Sequence, residues 1–174
     1  MKRPQLVEFM KRMDGNAVAI FAAAPEAVRS NDTHYRYRPD SDLMYLTGWE
    51  EPEAVAVIAP KREKPFTLFV RPKDKEREIW DGFRHGVDGA VATFGADEAF
   101  PIAELPAKLD ELLNQAHTLY YCVGKYDETD EIVVSSLRRL RAGGRKKHKR
   151  VPGKALPHFF FAIFAPFCGH NVFS

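Results

Sequence analysis

Asp32, His34, Asp40 and Asp42 fall within one stretch, RSNDTHYRYRPDSD, the densest local set of side chains able to ligate a cation. Carboxylates suit hard cations and imidazoles borderline ones. Asp32 and His34 are two apart, so in an extended segment they share a face. The same residue types also serve a polar loop, because Asp and Asn side chains hydrogen-bond to their own backbone. A Ser30, His34, Asp32 arrangement can be written as a nucleophile with its base, yet nothing in the sequence positions it. The loop reading needs fewer assumptions, and no catalytic or metal-ligating residue is assigned.

Other chemistries fare no better. The chain has no HExxH, no GxSxG, no Walker loop and no GxGxxG after a strand, and GVDGAVATFG lacks the spacing that brings backbone against a pyrophosphate. Eight Lys/Arg crowd the thirteen residues from Arg138 to Arg150, dense enough to follow a phosphate backbone. No aromatic residue interrupts the run to stack a base, so a solvated helix end and linker is the reading and nucleic acid is not an expected partner. Trp80, in the charged EREIWDG, is poorly placed for core packing and suits either a surface that meets another surface or the rim of its own domain. Trp49 reads as a packing residue against the strand that follows it.

These side chains need a scaffold, and the patterns supply one. Leu6, Phe9, Met10 and Met13 recur at helical spacing and predict an opening amphipathic helix that stops at DGN. AVAIFAAAP reads as a buried strand, and EAVRSNDTHYRYRPDSD as a loop or irregular extended segment. Asp40 or Ser41 caps a short helix DLMYLT, with Gly48 placed for the positive φ beyond its end. EAVAVIAP and FTLFV form a hairpin across the turn KREKP. RPKDKEREIWDGFRHG interrupts the sheet with charge. Ile102, Leu105, Leu109, Leu112 and Leu113 mark one further helix; Ile132, Val133, Leu137 and Leu140 mark another; TLYYCV is the strand between them. The expectation is an α/β fold, a three-layer domain with a mixed β-sheet flanked by helices, in which the last crossover is parallel.

A chain of 174 residues, 45% hydrophobic and 29% charged, suits one soluble domain. It has neither a membrane-length apolar run nor a signal-peptide core, so a cytoplasmic location with no membrane partner is expected. Cys122 and Cys168 form no framework and read as free thiols. Charge divides the chain unevenly: 17 Lys/Arg and all 24 Asp/Glu precede Arg138, a balance of −7, whereas the remainder holds nine Lys/Arg and no acid.

The run RSNDTHYRYRPDSDLMYLTGWEEPEAVAVI, then LFVRPKDKEREIWDGFRHG and FGADEAFPI, resembles the N-terminal domain of Xaa-Pro aminopeptidases (aminopeptidase P) from about Met10 to about Gly144. The resemblance implies a creatinase-like N-terminal domain that normally precedes a catalytic domain of pita-bread fold. In such enzymes the second domain holds two metal ions, usually manganese, and a bridging hydroxide attacks the bond before a penultimate proline. It further implies that the N-terminal domain mediates subunit contacts and narrows the substrate entrance. On that basis Asp32 lies near the free amino end of the substrate, Trp80 reaches toward a neighbouring subunit's active site, and Arg84 matches a family arginine. Phe83 stands where the family usually has another Arg.

Beyond Gly144 the likeness ends. The expected domains are 1–144, of aminopeptidase P N-terminal type, and 145–174, a basic then Phe-rich tail without assigned structure and foreign to the family pattern. Two functions follow. The first is a truncated, non-catalytic N-terminal domain, inactive alone and without a cofactor of its own, whose partners are copies of itself or an aminopeptidase catalytic domain, proline-containing peptides mattering only in the full-length context. The second is a standalone interaction module that uses the Trp80 surface or the Phe-rich tail.

Overall fold

The computed structural model describes residues 2–31, 33–114, 116–147 and 160–162, with the side chains of residues 80, 81, 143–147 and 160–162 outside that description. Helix α1, Pro4–Arg12, starts on a proline, whose missing N–H costs nothing in a first turn, and buries Leu6. The strand β1, Ala17–Ala22, follows it. Helix α2, Ser41–Thr47, begins at Asp40 and ends at Gly48, whose φ of 81° is the left-handed value glycine tolerates. Strands β4, Val55–Ile58, and β5, Phe66–Val70, are buried along their whole length.

Between β1 and α2 lies a small hairpin of β2, Val28–Ser30, and β3, Thr33–His34. The sequence predicts a loop or irregular extended segment here. Asn31, at the tip with φ of 44°, makes the tight reversal possible, since Asn tolerates left-handed backbone better than most residues. The charged interruption is in part helix α3, Lys75–Asp81: it has no apolar stripe and rests on its cap, Asp74 accepting from the Glu76 and Arg77 N–H groups at 3.1 and 3.2 Å. Helix α4, Gly86–Ala92, and strand β6, Glu98–Pro101, were also not foreseen. A 3-10 turn, Ile102–Glu104, leads into α5, Leu105–Leu113; β7, Thr118–Tyr121, and α6, Asp127–Lys147, complete the expected pattern. The expectation leaves 145–174 without assigned structure. Instead α6 continues to Lys147, past Gly144, and Phe160–Ala162 forms strand β8; the rest of the Phe-rich tail lies outside the described residues.

The main sheet is mixed, in the order β6-β5-β4-β1-β7-β8. Antiparallel pairs β1–β4 and β4–β5 occupy its centre, and parallel pairs β5–β6, β1–β7 and β7–β8 extend it on both sides. Alternation along the strands splits the core in two. Val18, Ile20, Val55, Val57, Phe69 and Leu119 face α5 and α6. Ala19, Ala56, Ile58, Phe66, Leu68 and Val70 face α1, α2 and α4. Asp110 of α5 clamps α6 by accepting from Ser136 and Arg139 at 2.5 and 2.7 Å. Among the described residues no helix is long and apolar enough to cross a membrane.

Candidate functional site

Two surfaces carry the residues singled out above. The first is the β2–β3 hairpin with the start of α2. The hairpin is exposed throughout, and its register pairs Val28 with His34 and Ser30 with Thr33. Asp32 lies outside the described residues; its neighbours Asn31 and Thr33 are exposed at the tip. Tyr37 fastens the base by donating its hydroxyl to the Ala24 carbonyl at 3.1 Å. Burial and nearby Asp40 push that phenol up to about 12.

Asp40 is the anchor. Its Oδ1 accepts from the Asp42 and Leu43 N–H groups at 3.1 and 3.0 Å, capping α2. Its Oδ2 accepts from Tyr126 at 2.7 Å and pairs with Lys125 at 2.6 Å, while Lys125 also reaches Asp42 at 2.9 Å. Burial opposes the Asp40 charge, but the bonds from Lys125, Leu43 N–H and Tyr126 outweigh it and hold the carboxyl below its ordinary value. For Lys125, burial is likewise the largest influence and lowers its pKa; bonds to Asp40 and Asp42 overcome it and raise the pKa.

The donor set fits a lysine rather than a metal ion. Asp40 and Asp42 share the ammonium of Lys125, and His34 sits apart on an exposed strand. Among the described residues no group of three His, Cys, Asp or Glu side chains is placed to hold a metal.

The second surface is the α3–α4 turn. Trp80 stands in the last turn of α3, its side chain outside the described residues, between Asp74 at the cap and Gly82 at the end. Its neighbours Ile79 and Phe83 are 79% and 68% exposed, the two most exposed large apolar side chains described. Arg84, one residue on, is buried. The turn is held by Glu51, whose Oε1 accepts from the His85 backbone N–H at 2.8 Å and meets His85 Nδ1 at 2.6 Å. Trp49 is fully buried beneath it, with its ring 4.8 Å from Phe94 and 5.9 Å from His85. Trp49 is therefore core, and its partners come from the α4 region as well as from β4's face of the sheet. Gly86, with φ of 63°, passes Lys73 so closely that a Cβ would lie 2.6 Å from its Cγ.

Sequence reasoning missed both ties. Lys125 and Tyr126 lie 83 and 86 residues from the aspartates they bind, and Glu51 lies 34 from His85. Only the stretch DSDLMYLTGWEEPE carried a signal, because its cap, left-handed glycine and turn proline are local features.

A family model described as the aminopeptidase P N-terminal domain matches residues 3–121. The Xaa-Pro aminopeptidase of Escherichia coli K12 is 42% identical over 147 residues, covering 83% of this chain and 33% of that protein. Mouse Xaa-Pro aminopeptidase 3 is 36% identical over 102 residues, 56% of this chain and 20% of its own length. The solved structure of Pseudomonas aeruginosa aminopeptidase PepP superposes with a TM-score of 0.81 at 37% identity, covering 91% of this chain and 35% of that one. This chain thus spans about a third of the length of the E. coli and Pseudomonas proteins, and their mixed sheet flanked by helices is its own. The chain belongs to the aminopeptidase P N-terminal domain family.

Proposed function

We propose that this chain serves as the non-catalytic N-terminal domain of an Xaa-Pro aminopeptidase, making subunit contacts and shaping the path by which proline-containing peptides reach a catalytic domain. One observation carries the reading: the likeness to full-length aminopeptidases covers one domain of this chain and about a third of theirs. In this role Asp32 meets the free amino end of the peptide. Trp80 reaches toward the active site of a neighbouring subunit, and Arg84 stands at the family arginine of the same substrate entrance. Manganese held by the catalytic domain would supply Lewis-acid activation of water there; the aspartates described here hold Lys125 instead. The exposed Ile79 and Phe83 beside Trp80 support contact with another protein surface.

The purified chain with added manganese should hydrolyse no X-Pro peptide. Turnover that Asp32→Ala abolishes would overturn the proposal. A chimera of the E. coli relative carrying residues 1–144 in place of its matching segment should retain X-Pro hydrolysis, and Trp80→Ala in it should lower kcat/KM by about tenfold through loss of positioning. A folded chimera indifferent to Trp80→Ala would remove the entrance role.

A further inference from the structure

Arg71 follows Val70, the last residue of β5, and is 8% exposed. β5 and β1 run in the same direction, since each is antiparallel to β4. The carboxyl end of β5 therefore lies at the same edge of the sheet as those of β1, β6 and β7. Open α/β sheets take their ligands at that edge. Burial is the largest influence raising the Tyr37 phenol; Asp40 adds to it and Arg71 opposes both. The guanidinium is thus within electrostatic reach of the segment between β3 and α2.

Its partners are poor for so buried a charge. Nε is closed to solvent and makes no hydrogen bond. The carboxylate paired with the guanidinium, Glu53, stands 3.9 Å from Nη1, and its own side chain is 59% exposed. That distance is beyond a hydrogen bond. Two more exposed cations are better served: Arg139 meets Asp110 at 2.7 and 2.8 Å, and Lys125 meets two carboxylates at 2.6 and 2.9 Å. A guanidinium out of water is costly unless a carboxylate mates with it directly. Glu53 also holds a φ of 50°, left-handed backbone that strains a glutamate and recurs where ligands are clamped.

The chemistry of the cation selects the ligand. A guanidinium is a planar fork that matches a carboxylate through two parallel N–H bonds. With Glu53 beside it, and Asp40 and Glu26 near Tyr37, this one cation balances a single negative charge and disfavours a dianion such as phosphate. We propose that Arg71 is the receptor for a peptide carboxylate, supplied by the free carboxyl terminus or by an acidic side chain. The inference rests on the reading of this domain as a wall of the path that peptides take.

The full chain is titrated with Ala-Pro-Ala, with its C-terminal amide, and with the C-terminal amide of Ala-Pro-Asp, and binding is followed by nuclear magnetic resonance at the Tyr37 backbone amide. A peptide carrying a carboxylate should bind at least about tenfold tighter than the Ala-Pro-Ala amide, the size of one charged hydrogen bond. Preference for Ala-Pro-Ala assigns the site to the terminus, and preference for the Asp peptide assigns it to the side chain. Arg71→Met should erase the preference and lower Tm by no more than about 3 °C, because it removes a charge whose exposed carboxylate needs no partner. Equal binding of the three peptides, or a preference that survives Arg71→Met, overturns the site. A larger fall in Tm overturns it too, since the guanidinium is then held for the fold.

In the chimera with the E. coli enzyme, Arg71→Met should raise KM for the preferred acid peptide by about tenfold and leave KM for the Ala-Pro-Ala amide unchanged. A general loss of fold would move both. An active chimera without that split overturns the carboxylate site and leaves the domain reading intact. A folded but inactive chimera overturns the domain reading, and the titration of the chain alone then decides the site.

Discussion

Removing the Asp40 carboxylate should show how far a single side chain holds the α2 end of the domain in place. In the folded chain this side chain caps α2 and receives both Lys125 and Tyr126, and it is buried. Loss of a helix cap costs about 1 kcal/mol, and loss of a buried hydrogen bond to a charged group about 1.5–3 kcal/mol. Since Lys125 keeps Asp42, Asp40→Ala is expected to lose about 3 kcal/mol, a fall of about 6–12 °C in Tm for a chain of this size. Asp40→Asn keeps a good cap and loses only the charge, so about half that loss is expected. Urea denaturation followed by circular dichroism measures both.

The same pair of variants fixes the pH dependence. The folded-state carboxyl titrates below its ordinary 3.8. Its stabilisation is therefore complete above that value and fades as pH falls through the lower folded one. The gap between wild type and Asp40→Asn should be constant near neutrality and close only below about pH 4. If Asp40→Ala loses under about 1 kcal/mol, or matches Asp40→Asn within about 0.5 kcal/mol, the cap and the ion pair do not act as described.

Trp49→Ala, at a fully buried ring between Phe94 and His85, should cost about 3–5 kcal/mol in thermal unfolding; a loss under about 1 kcal/mol would show that this core collapses around the void. Glu51→Ala leaves the His85 backbone N–H and ring without their carboxylate and should cost about 1–3 kcal/mol. Its signature is faster hydrogen exchange at the His85 amide, and unchanged exchange there would mean the α3–α4 turn is held by other contacts. Gly86→Ala places a methyl group 2.6 Å from Lys73 Cγ at a φ of 63° and should destabilise by about 1–2 kcal/mol, read as a lower urea midpoint at constant slope.

Elements legible in the sequence share one property: their signal lies within a few residues. α1, α5 and α6 show apolar residues at helical spacing, and β1, β4 and β5 are short buried apolar runs with turn residues beside them. α2 carries its own cap and its own left-handed glycine. The elements that escaped lack such a signal. α3 is polar on nearly every face; α4 is short and buries only the small Gly86 and Ala90, one turn apart. β6 is half-buried along its length, so it has neither the alternation nor the apolar run of a strand, and pairing with β5 defines it.

The candidate site divides in the same way. The sequence alone determined the family and the cap and turn chemistry of DSDLMYLTGWEEPE. Tertiary structure alone decided that Asp40 and Asp42 share Lys125 and that Glu51 holds His85. A cap or a helical stripe is a contact between residues close in the chain, and its energy is set before the chain folds. An ion pair across 83 residues exists only after the sheet has brought β7 beside β1.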